Sequence, residues 1–132
     1  MKVAFASSTG DRVDEHFGRA RAFHVWEVGT NEAFPLGTVA PQVRGDEDEE
    51  DRIEARAEAL SGCSIVYSVQ IGGPPAAKLV GRKIHPMKTG TEVAISEVVG
   101  RLQEVLRGNP PPWLRKAMNG GSAPTPGDGD DE

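Results

Sequence analysis

The stretch Ser7-Ser8-Thr9-Gly10-Asp11-Arg12-Val13-Asp14-Glu15-His16-Phe17-Gly18-Arg19-Ala20 places one imidazole in a polar loop rather than on an apolar face. A loop imidazole is free to reach a ligand, and its neutral form suits iron as well as zinc. Arg12, Arg19 and Arg21 lie within five residues of His16. Guanidinium groups so placed can complement an anionic ligand through charge-assisted hydrogen bonds. The same residues also describe an ordinary surface histidine among solvated arginines, because one histidine does not define a site.

Three other places bear on chemistry. In Gln70-Ile71-Gly72-Gly73-Pro74-Pro75-Ala76-Ala77-Lys78 a strand ends, two glycines follow and a helix begins. Gly72 and Gly73 let backbone N–H groups approach an anion at a helix start, although the prolines add no donor. The Gly-Lys-Ser/Thr ending of a P-loop is absent. Cys63 could ligate iron as a thiolate, or simply pack between a helix and a strand. His85, in an extended Ile-His-Pro segment, is a possible second metal ligand or a structural residue. His24 alternates with Phe23 and Val25 and reads as a strand-face residue. Met87 reads as core, and Trp26 and Trp113 as a core residue and a tail anchor.

Catalytic alternatives find little support. A nuclease that holds magnesium between carboxylates needs an acid on its opening strand, and residues 2–7 contain none. A hydrolase needs a nucleophile with a nearby base, but Ser7 and Ser8 lack any recognisable elbow and Cys63 lacks a motif around it. The chain is expected not to be an enzyme.

The elements that must position these groups can be read from the pattern. Residues 2–7 form a short apolar strand closed by turn residues. Residues 22–28 and 33–40 read as strands joined by the hairpin Gly29-Thr30-Asn31-Glu32, with Pro35 marking an edge or a bulge. Residues 47–60 predict a helix with an acidic start, ended by Gly62. Residues 64–70 read as a buried strand, and the 71–75 turn opens a helix through Val80. Residues 83–87 give a short strand, and 91–107 a longer helix capped by Thr91. Residues 110–114 read as stiff and extended. The order predicts an α/β fold: a mixed sheet of about five strands with helices on both faces, as in an RNase H-like three-layer arrangement.

Length and composition agree. The 132 residues fit one domain, expected over 1–118, with a disordered Gly/Pro/Asp-rich tail at 119–132. A single cysteine excludes a disulfide framework and any cluster held by four cysteines of one chain. No signal segment or long apolar run is present, so a cytoplasmic location without membrane contact is expected. The net charge of −5 is uneven: six acids run from 46 to 51 and four more lie at Asp128, Asp130, Asp131 and Glu132. Without those ten, ten acids face fifteen bases. The bases are scattered and aromatics are few, which argues against nucleic acid.

The run Arg12-Val13-Asp14-Glu15-His16-Phe17-Gly18-Arg19-Ala20 resembles the signature of the NifX/NafY family of dinitrogenase iron–molybdenum cofactor biosynthesis proteins. The opening Met1-Lys2-Val3-Ala4-Phe5-Ala6-Ser7, the 71–80 segment, Ile84-His85-Pro86-Met87-Lys88 and the closing Asn109-Pro110-Pro111-Pro112-Trp113-Leu114-Arg115-Lys116 are similar in the same order, over roughly residues 1–118. The resemblance implies an RNase H-like fold without nuclease activity. It implies transient binding of an iron–sulfur precursor, NifB-cofactor, or of the finished iron–molybdenum cofactor. His16 matches the family histidine expected to touch the cluster, with Arg12, Arg19, Gly72 and Gly73 around it and Cys63 and His85 as possible further ligands. Expected partners are NifB and NifE–NifN assembly proteins and apo-dinitrogenase, with the chain a monomer or weak homodimer. Starting directly at the first strand favours the NifX type. Three alternatives remain: a metal or iron–sulfur regulatory domain outside nitrogen fixation, a protein-interaction module that carries no cluster, and a small-molecule-binding enzyme, against which the absence of a paired acid and base argues.

Overall fold

The computed structural model describes residues 1–42, 45 and 48–120. The acidic run at positions 46 and 47, and the tail beyond 120, lie outside them. Strand β1 (Lys2–Ala6) is central because it is apolar on both sides: Val3, Ala4, Phe5 and Ala6 are all fully buried. It pairs antiparallel with β3 (Phe23–Val28) and parallel with β5 (Ile65–Ser68). Strand β4 (Ala33–Val39) closes one edge and β6 (His85–Lys88) the other, giving the order β4-β3-β1-β5-β6. This is the mixed five-stranded sheet that the pattern predicts, and its layers are those of an RNase H-like fold. Pro35 occupies an edge strand beside a register shift, where Val25 pairs with Gly37 and Trp26 with Pro35. Both readings of that proline therefore hold, since neither place requires its missing N–H.

Strict alternation splits the core into two layers. Val3, Phe5, Ile65 and Tyr67 face helix α3 (Ile95–Arg107) through Val98, Val99, Leu102 and Leu106. Ala4, Ala6 and Val66 face α1 (Glu49–Ala59) and α2 (Gly73–Gly81) through Ala57, Leu60 and Leu79. The small Ala4 and Ala6 leave room on that side for Phe17 and Phe23, whose ring centroids lie 5.5 Å apart. Helix α1 is capped by Asp48, whose side chain accepts from the Asp51 amide at 2.9 Å. Gly62 follows it at φ +91, a backbone angle that glycine adopts without a Cβ penalty.

Three expectations need correction. The third helix does not start at Thr91: Val93–Ala94 form a two-residue strand, β7, paired with β2 (Arg12–Val13). The helix then begins at Ile95, whose amide donates to the Asp11 carbonyl at 2.8 Å, so the first loop does the work of a side-chain cap. Residues 110–114 are not wholly extended, because Pro112 opens helix α4 (Pro112–Gly120). Proline is at ease in a first helical turn, where no intrahelical donor is needed. Helix α4 ends at Gly120. The sixth strand starts at His85 rather than Lys83, which takes a positive φ of 64 in the turn after α2. Among the described residues no helix is long and apolar enough to cross a membrane.

Candidate functional site at the carboxyl end of the sheet

The parallel strands β1, β5 and β6 end together, and the loop after β1 folds over that end. Its first half closes on itself. The Ser7 hydroxyl accepts from Gly10 N at 2.8 Å, and the Asp14 carboxylate accepts from Ser8 N at 2.9 Å and Ser8 Oγ at 2.6 Å. Gly10 has φ +91, and a Cβ there would stand 3.1 Å from His24 Cε1, so glycine lets the loop lie on the half-buried His24 ring. The Ala6 carbonyl accepts from Asp14 N and Glu15 N, turning the chain back toward the sheet.

The segment that carries His16 is then pinned by its backbone. Val69 N donates to Glu15 O, and Phe17 N donates to Gln70 O, each at 2.9 Å. The Phe17 side chain is 1% exposed and anchors the turn in the core. Residues Phe17–Arg19 make one 3-10 turn, closed by Arg19 N to His16 O at 3.0 Å. His16 and Arg19 are left exposed at its two ends. The pairing with Val69 and Gln70 sets His16 beside the strand end that leads into Gly72 and Gly73.

That turn makes its own offer. Gly72 is the N-cap of α2, Gly73 opens the helix, and Pro74 and Pro75 follow it. Of the four amides a helix start normally leaves unpaired, two are prolines. Ala76 N already donates to Gly72 O at 3.1 Å. Gly72 and Gly73 therefore supply the remaining N–H groups. A Cβ on Gly73 would meet nothing within 4 Å, so the space above it is open.

Arg12 sits differently. It belongs to β2, its Nε lies 3.9 Å from Glu92 Oε1, and it lines a cleft of about 660 Å³ on the α3 side of the sheet with Tyr67, Lys88, Arg101 and Trp113. Burial pushes the Tyr67 hydroxyl in that cleft up to about 12.

Cys63 and His85 stand at the other end of the sheet. Cys63 precedes β5, is 4% exposed, and burial pushes its thiol up to about 11, slightly offset by Lys2. His85 opens β6, opposite Ile65 at the start of β5. Its ring stacks on Trp113 with centroids 3.8 Å apart, 13° from parallel, and burial lowers its pKa. Neither residue is brought to the His16 turn. Among the described residues no three His, Cys, Asp or Glu side chains are grouped to hold a metal ion.

One residue near the turn has no signal in the sequence. Arg56, in the Glu/Ala/Arg-rich helix α1, reads as a solvent-facing charge, yet it is 9% exposed and its Nη2 donates to Ala20 O at 3.2 Å.

The family described as dinitrogenase iron-molybdenum cofactor matches residues 1–105. The chain belongs to that family. Its relatives include the protein NifX of Herbaspirillum seropedicae, 42% identical over 92% of this chain and 84% of the relative. NifX of Rhodobacter capsulatus is 38% identical over 89% of this chain and 77% of the relative. NifY of Azotobacter vinelandii is 38% identical over 89% of this chain but only 48% of its own length. The crystal structure of PH0822 superposes with a TM-score of 0.63, covering 79% of this chain and 91% of that one at 19% identity, a likeness of fold alone. The match to the dinitrogenase iron-molybdenum cofactor family spans β1, the His16 loop, the Gly72–Gly73 turn and most of α3.

Proposed function

We propose that this protein is a non-enzymatic carrier in the making of the nitrogenase iron–molybdenum cofactor. Its cargo is an iron–sulfur precursor such as NifB-cofactor, or the finished cofactor. It would receive that cargo from a NifB-type protein and pass it to a NifE–NifN-type scaffold or to apo-dinitrogenase. Family membership supports the setting, as does a relative named FeMo cofactor biosynthesis protein NifB, 29% identical over 84% of this chain and 25% of its own length.

The observation that carries the reading is a lone exposed imidazole on a turn whose backbone is fixed at both sides. A fixed backbone preorganises the ligand, while a single protein ligand holds a cluster through few bonds. That combination suits release rather than permanent storage. His16 supplies one nitrogen to a cluster iron. Arg19 and the Gly72 and Gly73 amides complement the cargo's negative charge. Arg12, turned to the α3 cleft and paired with Glu92, braces the loop through β7. Cys63 and His85 take no part in this assignment.

The test is anaerobic loading with isolated NifB-cofactor, followed by gel filtration and visible absorption. The wild-type protein is expected to co-elute with the chromophore. His16→Ala should weaken retention by more than about 100-fold, beyond the usual cost of losing an outer-shell partner. Equal retention by the two proteins would overturn the reading.

A further inference from the structure

Arg56 is an anomaly in energetic terms. A guanidinium is costly to bury unless paired, and buried arginines ordinarily meet a carboxylate. Arg56 meets none among the described residues. Its Nη2 donates to Ala20 O at 3.2 Å, its Nη1 reaches Arg52 O at 3.4 Å, and its Nε is buried with no partner. Its charged neighbour is Arg52, one turn earlier on α1, and that repulsion adds to the cost. Arg56 and Ala57 are the buried residues of α1, and Ala57, with the C-cap Leu60, lies in the apolar layer against the sheet.

Ala20 is the C-cap of the turn that begins at His16. The amino side of that turn is tied to β5 by the Glu15 and Phe17 bonds. Arg56 is the side chain that ties down its other side, across 36 residues of sequence. We propose that Arg56 is a positioning residue for the His16 turn: it fixes Ala20 from α1 and keeps a positive charge, unpaired with any carboxylate among the described residues, beside the place where an anionic cluster docks. The inference rests on His16 being the cargo contact. It adds a strut and a field that act through the turn rather than through contact with cargo.

A synthetic thiolate-capped iron–sulfur cluster, offered without oxygen to the full chain, serves as the probe. Arg56→Met removes strut and charge and should weaken retention about 10- to 100-fold, as loss of an outer-shell partner does for a metal site. Arg56→Lys keeps the charge and one donor and should recover part of that loss. A merely structural arginine would lower the melting temperature while leaving the folded variant's affinity unchanged, and that result would overturn the proposal. Should Arg56→Met not fold, the unmodified chain decides. Its Arg56 guanidinium protons should exchange slowly with solvent and shift when the probe binds, and fast exchange or no shift would overturn the proposal equally. His16→Ala, run alongside, separates two failures. If it retains the probe fully, the site itself is wrongly placed. If it loses the probe while Arg56→Met keeps it, only the strut is wrong.

Discussion

The two ends of the parallel strands hold the same kinds of metal-capable side chain and use them in opposite ways. At the carboxyl end the fold binds the backbone around His16, through Val69 and Gln70, and leaves the imidazole outside. At the amino end the fold consumes the side chains: Cys63 is buried with its thiol raised to about 11, and His85 lies flat on Trp113. A ligand-type residue is available for chemistry where the structure is anchored by its peptide groups, and unavailable where its side chain is part of the packing. This contrast removes Cys63 and His85 from the proposed contact set, although their residue types are as suitable as His16.

The sharpest way to break the contrast is to remove the apolar anchor of the exposed end. Phe17→Ala should cost about 3–5 kcal/mol in urea unfolding, because a fully buried ring is lost from the layer shared with Phe23 and Leu60. A cost under about 1 kcal/mol would mean that the His16 turn is not built on the core. Next in size is the reactivity of Cys63. With its thiol near 11, the thiolate fraction at pH 8 is small, and alkylation should run roughly 100-fold slower than for a free cysteine. Labelling at an ordinary rate in the folded state would return Cys63 to the list of possible ligands. Trp113→Ala should cost about 1 kcal/mol, the scale of one ring stack on a partly exposed residue.

The smallest expected effect is a slope with pH. Burial lowers the His85 pKa in the folded state, so the unfolded chain takes up that proton first as pH falls. Stability from this group is therefore whole above the ordinary imidazole range. It declines as pH drops from the unfolded value toward the folded one. His85→Gln should flatten that part of the stability profile, and an unchanged slope would show that His85 is not held neutral in the fold.

Much of this arrangement was legible in the residues. The uninterrupted apolar run of β1 and the three- and four-residue steps of Val98, Val99, Leu102 and Leu106 announce a central strand and the helix that covers it. His16 was legible as a loop imidazole because polar residues surround it. The β2–β7 ladder was not, because two residues per strand carry no period to read. Helix α4 was hidden by three prolines, which signal extension until one of them proves to start a helix. Arg56 was hidden by its neighbours: arginine among glutamates and alanines reads as a solvated charge, and only the approach of Ala20 makes it a buried donor. The separation of Cys63 and His85 from His16 depends on strand direction, which follows from pairing across the sheet and not from local composition.

Iron-edge X-ray absorption on the anaerobically loaded protein tests the central claim most directly, because it counts the light and heavy atoms around iron. The account predicts one nitrogen neighbour at an imidazole bonding distance in the wild-type protein, absent from His16→Ala. An identical nitrogen shell in both proteins, or a wild-type protein that emerges free of iron, would contradict it.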